Sequence, residues 1–181
     1  MVALEEQELL ARLQQPATRS QAFEAVVRTY QRMLYYHIRR LVPSHDDADD
    51  VLQNTFLKAW RGIDGFRAAS SLKTWLYRIA TNEALTLLEK QKRRVSQDLV
   101  HDHYQAPQEM PLDSDALQQH LDTAIRSLPK RQRTIFQMRY YDELRYEEIA
   151  EVLDVSVGAL KASYHHAVRK IEKYLETATA R

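Results

Sequence analysis

The chain contains only three glycines in 181 residues, Gly62, Gly65 and Gly158. Folds rich in sheet use glycine at tight turns, bulges and hairpins, so this low count favours long helices joined by few turns. Proline lacks a backbone N–H and therefore tends to bound helices. The five prolines are spaced as boundaries of this kind: Pro16, Pro43, Pro107, Pro111 and Pro129. The sequence thus predicts an all-α fold.

Apolar residues recur at intervals of three and four along most of the chain, which is the spacing of one helix face. In the N-terminal half this periodicity predicts four helices. They cover residues 4–14, residues 20–42, the stretch from the Ser44 capping signal to about Gly62, and residues 72–92. In the C-terminal half it predicts helices over residues 114–127, 130–140, 146–153 and 157–177. The predicted core positions are Phe23, Val26, Val27, Tyr30, Leu34, Ile38 and Leu41 in the second helix, Val51, Leu52, Thr55, Phe56 and Ala59 in the third, Leu72, Leu76, Ile79, Ala80 and Leu87 in the fourth, and Ile149, Ala150 and Leu153 in the seventh.

Charge divides the chain into three parts. Residues 1–94 carry 15 Lys and Arg against 11 Asp and Glu, residues 95–115 carry none against five, and residues 116–181 carry 11 against nine. Residues 95–113 also lose the helical periodicity, so we predict two small helical domains, 1–94 and 116–181, joined by a flexible acidic linker, 95–115. Neither domain is basic enough for strong DNA binding by charge alone.

Several classes of function are disfavoured. The chain has no cysteine, no apolar run near about 18 residues and a charged N-terminus without a signal-peptide pattern, which predicts a cytoplasmic protein without membrane insertion. A hydrolase or metalloprotein would rest on His101, Asp102 and His103, but no third ligand stands at helical spacing and no general base is close. We therefore predict no enzyme activity, no catalytic residues, no metal and no cofactor.

Residues 146–171 have the pattern of a helix-turn-helix. Ala150 is small where two helices would cross, Asp154 suits a left-handed turn, and Ser156 would cap the second helix. The second helix has a polar, partly basic face that offers hydrogen-bond donors to a major groove: Lys161, Ala162, His165, His166, Arg169 and Lys173. The alternative interpretation is the ordinary solvent face of an amphipathic helix.

The C-terminal motifs resemble region four of the extracytoplasmic-function (group four) sigma factors of the sigma-70 family. They are Leu128-Pro129-x-x-Gln132-Arg133, Tyr140-Tyr141-x-Glu143-x-x-Tyr146-Glu147-Glu148-Ile149-Ala150 and Val157-Gly158-x-Leu160-Lys161. Two N-terminal motifs resemble region two of that family, its polymerase-binding helix and its promoter-melting helix. They are Asp47-Ala48-x-Asp50-Val51-x-Gln53-x-Thr55-Phe56-x-Lys58-Ala59-Trp60 and Thr74-Trp75-Leu76-Tyr77-Arg78-Ile79-Ala80-Thr81-Asn82. The resemblance covers residues 20–94 and 116–175.

The resemblance implies a sigma factor that binds core RNA polymerase at its clamp coiled coil and flap, recognises promoter DNA, begins its melting and is bound by an anti-sigma factor. The polymerase contacts that it implies are Asp49, Asp50, Gln53, Phe56 and Trp60. For the minus-10 element it implies Phe66, Arg67, Ser70, Ser71, Lys73, Trp75, Arg78, Asn82, Arg93 and Arg94. For the minus-35 element it implies Lys161, Ala162, His165, His166 and Arg169. Phe56, Trp60 and Trp75 have an alternative interpretation as plain core residues.

Two departures from the family pattern stand out. Arg145 replaces the usual Ser or Thr before Tyr146, and we expect this to remove a capping box with Glu148. The recognition helix also carries fewer arginines than is usual, so no promoter consensus is transferred. A rival class, the helix-turn-helix regulators of the LuxR type, shares the C-terminal pattern but leaves residues 46–60 and 74–82 unexplained.

Overall fold

The computed structural model describes residues 2–66, 70–97 and 116–179, and every regular element in those segments is a helix. The elements are α1 Val2–Gln14, α2 Pro16–Leu41, α3 His45–Gly62, a 3-10 helix Ile63–Gly65, α4 Leu72–Gln97, α5 Ala116–Ser127, α6 Lys130–Tyr140, α7 Tyr146–Leu153 and α8 Val157–Thr179. The predicted all-α class is confirmed. The chain divides into two compact units, residues 1–102 and 103–181.

Most helix boundaries agree with the prediction, and the exceptions have local causes. The prediction that α4 ends near Lys92 is wrong, because the helix continues to Gln97. The added residues, 93–97, contain neither glycine nor proline, and the arginines and glutamine among them are good helix formers. Helix α2 begins at Pro16 rather than Ser20. Proline is favoured in a first turn because its missing N–H would have no partner there.

In the first unit, α4 packs against both α2 and α3. Fully buried alanines at 48, 59, 80 and 84 let the helices approach closely, and large side chains fill the remaining space. The largest fully buried side chains in this unit include Leu13, Leu34, Ile38, Leu72, Leu76 and Tyr77.

The buried face of α4 is wider than the stripe that the sequence predicts. Ile79 and Leu87, which were predicted to be core residues, are only half-buried, whereas Thr74, Tyr77, Thr81 and Ala84 are buried. A helix packed from two sides buries polar positions that an apolar pattern does not reveal. Thr81 meets such a partner in the buried His37, whose Nε2 lies 2.9 Å from the Thr81 Oγ1.

Similar corrections apply to α2 and α3. Phe23, Val27 and Tyr30 on α2 are half-buried rather than core, as are Leu52 and Phe56 on α3. The buried positions that the apolar pattern missed are Ala22 and His37 on α2 and Ala48 on α3.

In the second unit α8 packs against α5, α6 and α7. Its core contains Ala124, Ile125, Leu128, Phe136, Ala167 and Ile171. The predicted helix-turn-helix geometry is confirmed: Asp154 is left-handed at φ 53°, ψ 54°, and Ser156 Oγ accepts the Ala159 N–H at 3.3 Å. Val152 is buried where Leu153 was predicted, since Leu153 is half-buried.

We predict that Leu34→Ala lowers the free energy of unfolding of the first unit by about 2–5 kcal/mol, because it leaves a cavity in close packing. Leu34 is 0% exposed, whereas Leu57, a control in the same unit, is 46% exposed. Both tryptophans, Trp60 and Trp75, lie in this unit, so tryptophan fluorescence during urea denaturation follows it alone. An equal effect of Leu57→Ala would contradict this packing.

Candidate nucleic-acid and polymerase interfaces

The segment that leads into α4 carries the predicted minus-10 contacts. After the 3-10 helix, Phe66 is extended and buried, and Ser70 and Ser71 are half-buried ahead of the first turn of α4. Arg67 lies outside the described residues. The Phe66 ring is 8% exposed, so in this conformation it supports its neighbours and faces away from solvent.

Trp75 is half-buried, so its exposure lies between that of a plain core residue and that of an open DNA contact, the two interpretations that the sequence left open. Its ring centroid is 5.0 Å from that of Phe66, with an angle of 41° between the ring planes. A methyl group at Gly62 would lie 3.4 Å from Trp75 Cζ2, so the end of α3 supports the indole from another direction. Arg78 and Asn82 follow on the same stripe of α4 and are exposed. The stripe therefore presents a supported aromatic edge beside two polar groups.

Ser71 and Lys73 have local roles that the sequence analysis missed. Ser71 Oγ accepts the Thr74 N–H at 3.1 Å and lies 2.9 Å from Thr74 Oγ1, which makes Ser71 the N-cap of α4. Lys73 belongs to the first turn of α4, with its ammonium 5.8 Å from the centroid of the Tyr77 ring. The Ser71-x-x-Thr74 spacing was the available signal for this cap.

The basic run at the end of α4 is helical. Lys90, Lys92 and Arg93 are exposed, and Arg94 belongs to the same helix although its side chain lies outside the described residues. Cations near a helix C-terminus interact favourably with its partial negative charge. These charges therefore form a regular exposed array along the last turns of α4.

The predicted polymerase contacts lie along α3. Asp49, Asp50 and Gln53 are exposed, Phe56 is half-buried and Trp60 is 37% exposed. The ring of Phe23 on α2 packs edge-on against both aromatics, with centroids 6.3 Å from Phe56 and 5.1 Å from Trp60. The two aromatics thus belong to a surface cluster whose outer edge faces solvent.

All five predicted minus-35 residues are exposed on α8: Lys161, Ala162, His165, His166 and Arg169. The Lys161 ammonium lies 5.7 Å from the centroid of the Tyr146 ring, which also has the Arg139 guanidinium 5.2 Å away. Tyr164 meets the same ring edge-on at 6.0 Å. Burial, together with the neighbouring Tyr146, raises the pKa of Tyr164 above its usual value. Tyr146 was missed because its contact with Lys161 is tertiary.

The expectation that Arg145 removes the capping box is only half right. Arginine has no side-chain acceptor, so the bond to the Glu148 N–H is lost. The reverse bond remains, since the Arg145 N–H donates to Glu148 Oε2 at 2.7 Å. Arg145 Nε also lies 3.7 Å from that oxygen, an exposed ion pair of small worth. Helix α7 therefore keeps one of its two capping bonds.

Within the described segments, no group of three or more His, Cys, Asp or Glu side chains is placed to hold a metal ion. His101, Asp102 and His103 lie outside those segments. No helix among the described residues is long and apolar enough to cross a bilayer.

Two family models match the chain. The model of sigma-70 region 2 matches residues 26–94, and the model of sigma-70 region 4 matches residues 118–171. The first contains α3 and most of α4, and the second contains the helix-turn-helix.

Two curated relatives, both described as ECF RNA polymerase sigma-E factors, align with most of the chain. The Haemophilus influenzae protein is 33% identical over 186 residues, covering 96% of this chain and 96% of its own length. The Escherichia coli K12 protein is 34% identical over 168 residues, covering 86% of this chain and 87% of its own length.

Solved structures are also similar. The sigma factor RpoE of Bartonella quintana, in complex with the anti-sigma factor NepR, has a TM-score of 0.72 and 27% identity, covering 85% of this chain and 96% of that one. CnrH in complex with the cytosolic domain of CnrY has a TM-score of 0.68 and 21% identity, covering 95% and 97%. At this identity the similarity to CnrH concerns the fold alone.

We predict that Arg145→Ser stabilises α7 by about 0.5–1 kcal/mol, because a serine oxygen would accept the Glu148 N–H and complete the capping box. Amide hydrogen exchange in α7, measured by NMR on the full chain, should slow accordingly. Arg145→Ala is the matched control, since it removes the same guanidinium without adding an acceptor. Equal protection in the two variants would contradict the prediction.

Proposed function

This chain belongs to the extracytoplasmic-function sigma factors of the sigma-70 family, and on that premise we propose how its two units bind polymerase and promoter DNA. It is a transcription initiation factor. The LuxR-type alternative is not supported, because the region 2 match over residues 26–94 has no counterpart in a simple helix-turn-helix regulator.

In this proposal residues 1–94 form region two, residues 116–181 form region four, and residues 95–115 link them. Region two would bind core polymerase and the minus-10 element, and region four the minus-35 element. The protein would act in the cytoplasm and contribute binding and strand capture, while the polymerase performs the chemistry.

The observation that carries the proposal is the stripe of Trp75, Arg78 and Asn82 on α4. A base that leaves the duplex needs an aromatic surface to stack on and polar groups for its exposed edges. The indole of Trp75 is half-buried and packs against the Phe66 ring, so part of it is open for stacking, and Arg78 and Asn82 are exposed beside it. Ser70 and Lys73 lie near the same end of α4, and Arg93 and Arg94 would contact backbone phosphates.

Region four would read the minus-35 element with α8 in the major groove. Lys161 is well suited to a phosphate or base edge, because Tyr146 limits the orientations of its ammonium before binding. His165, His166 and Arg169 supply further donors.

The polymerase clamp coiled coil would meet α3 at the exposed Asp49, Asp50 and Gln53, with Phe56 and Trp60 as the apolar part of the contact. The flap would meet region four. RpoE of Bartonella quintana was solved in complex with an anti-sigma factor, and we propose that an anti-sigma factor also binds this chain, where it would cover the polymerase-binding surfaces.

The weak charge of both domains supports dependence on polymerase. Net charges of +4 for residues 1–94 and +2 for 116–181 give modest attraction to phosphates. The net charge of −5 in residues 95–115 fits a linker that follows the basic RNA exit path and is displaced by the transcript. Linking two DNA-reading domains on one enzyme raises their effective concentration at adjacent elements.

We predict that core RNA polymerase from the source bacterium produces run-off transcripts with this protein, and few without it, from templates whose upstream DNA is randomised. Sequencing the active templates should reveal two enriched elements separated by a fixed spacing. As a control, the free protein should bind those templates weakly. Failure to associate with core polymerase would overturn the proposal, and tight specific binding by the free protein would contradict its dependence on polymerase.

We predict that Trp75→Ala lowers promoter opening about tenfold, because base stacking on an aromatic is worth about 1–3 kcal/mol. Affinity for core polymerase should stay within about twofold, since the indole lies on α4 and the proposed contact on α3. Permanganate reactivity of promoter thymines measures opening, and fluorescence anisotropy measures core affinity. Gln53→Ala should show the reverse pattern. Equal loss of both activities in Trp75→Ala would indicate a structural role.

A further inference from the structure

Helix α1 reaches the start of the proposed promoter-melting helix although it precedes the family match at residues 26–94. Glu6 Oε1 accepts the N–H of Leu72 at 2.6 Å, across 66 positions of the sequence. Leu72 is the first residue of α4 and is fully buried. The bond therefore joins the N-terminal helix to the end of α4 that leads to Trp75.

The chemistry of helix ends explains what this bond does. The first N–H groups of a helix have no acceptor within it, and a negative charge at that end is favourable. Ser71 accepts the Thr74 N–H, and the Glu6 carboxylate accepts the Leu72 N–H. The first turn of α4 is thus held by one local acceptor and one from α1. Burial raises the pKa of Tyr30 on α2, and the negative charge of Glu6 adds to that rise.

A second contact ties the α1–α2 corner to the 3-10 helix that precedes Phe66. The Arg19 Nε–H donates to the Leu13 carbonyl at 2.9 Å, and the Arg19 guanidinium pairs with Asp64 in the 3-10 helix. Leu13 is fully buried, so this corner is anchored in the core. The two contacts hold Asp64, just before Phe66, and Leu72, the first residue of α4.

We propose that α1 braces the start of α4 and that Glu6 is a positioning residue for promoter melting. By holding Leu72, Glu6 sets the first turn of α4 and hence the direction in which Trp75, one turn later, meets an extruded base. The proposal rests on the proposed function and adds a residue that is expected to touch no DNA. A purely structural Glu6 would change stability and polymerase affinity together, whereas a positioning residue changes promoter opening.

The test compares Glu6→Ala, Glu6→Gln and the control Glu8→Ala in the full chain, with core polymerase and a promoter recovered by run-off selection. Glu8 is an exposed acid on the same helix, so its removal matches the loss of charge. We expect Glu6→Ala to lower thymine reactivity to permanganate about tenfold, because an N–H loses its charged acceptor, with core affinity within about twofold. Glu6→Gln, whose amide oxygen can accept the same N–H, should stay within about threefold of wild type.

Normal opening by Glu6→Ala, equal opening by the Ala and Gln variants, or a parallel loss of core affinity would each overturn the proposal. If Glu6→Ala fails to fold, Glu6→Asp carries the test, because it keeps the charge and shortens the reach by one methylene. It should lower opening in the same way, and normal opening by a folded Glu6→Asp would overturn the proposal.

A spectroscopic measurement on the free protein separates this inference from the proposed function. In a Trp60→Phe background Trp75 is the single tryptophan, so acrylamide quenching reports its surroundings. We expect Glu6→Ala to raise the quenching constant and shift the emission to the red, with Glu8→Ala unchanged. No change in quenching would overturn the inference. Inactivity of wild-type holoenzyme would overturn the proposed function while the quenching result stood.

Discussion

The packing of α4 against two helices is the constraint on which the first unit depends. Burial on two sides leaves less of a helix exposed, yet in the proposed function α4 also presents Trp75, Arg78 and Asn82 to DNA. The conflict is resolved by small buried residues: Ala80 and Ala84 on α4 face a bundle that also has Ala48 and Ala59 on α3. Close approach over these small side chains keeps the helices tightly packed, while Arg78 and Asn82 remain exposed and Trp75 is half-buried. Thr81 extends the buried face, because His37 supplies it with a hydrogen-bond partner.

Polar contacts between helices then fix the relation of α3 to α4. Lys58 pairs with Glu83 near one end of the contact, and Gln91 donates to Asp47 Oδ1 at 3.0 Å near the other. Exposed ion pairs contribute little to stability, but two separated contacts oppose rotation of one helix against the other. In the proposed holoenzyme, polymerase binds α3, and because α3 and α4 are packed in a fixed relation, this binding also orients α4. Little ordering then remains to be done when DNA binds, which lowers the entropy cost of capturing a base.

Features that depend on neighbouring residues could be predicted from the sequence, and features that depend on distant ones could not. The boundaries of α6 and α7 and the left-handed Asp154 were predicted correctly, because proline, apolar spacing and turn chemistry are local signals. The continuation of α4 to Gln97 was missed, since loss of apolar periodicity was mistaken for loss of helix in a segment of good helix formers. Among the proposed contact residues, the exposed positions of α8 could be predicted from helical periodicity. The contact of Lys161 with the Tyr146 ring and the bond from Leu72 to Glu6 could not, because each joins residues far apart in the sequence.

The acidic groups of this chain also illustrate why net charge is a poor guide to a nucleic-acid surface. Glu6 lies beside the proposed melting segment, where an unpaired carboxylate would repel phosphates. Its charge instead interacts with the first turn of α4, where the N–H groups at the helix start carry partial positive charge. Asp64 is likewise neutralised by Arg19. In the proposed function, the cations beside Trp75 are therefore Lys73 and Arg78, and the acids close by are paired. The basic end of α4 lies about 27 Å further along the helix axis, so it would meet a different part of the DNA. A domain of low net charge can in this way carry locally cationic sites, and the proposal is that polymerase brings the promoter to them.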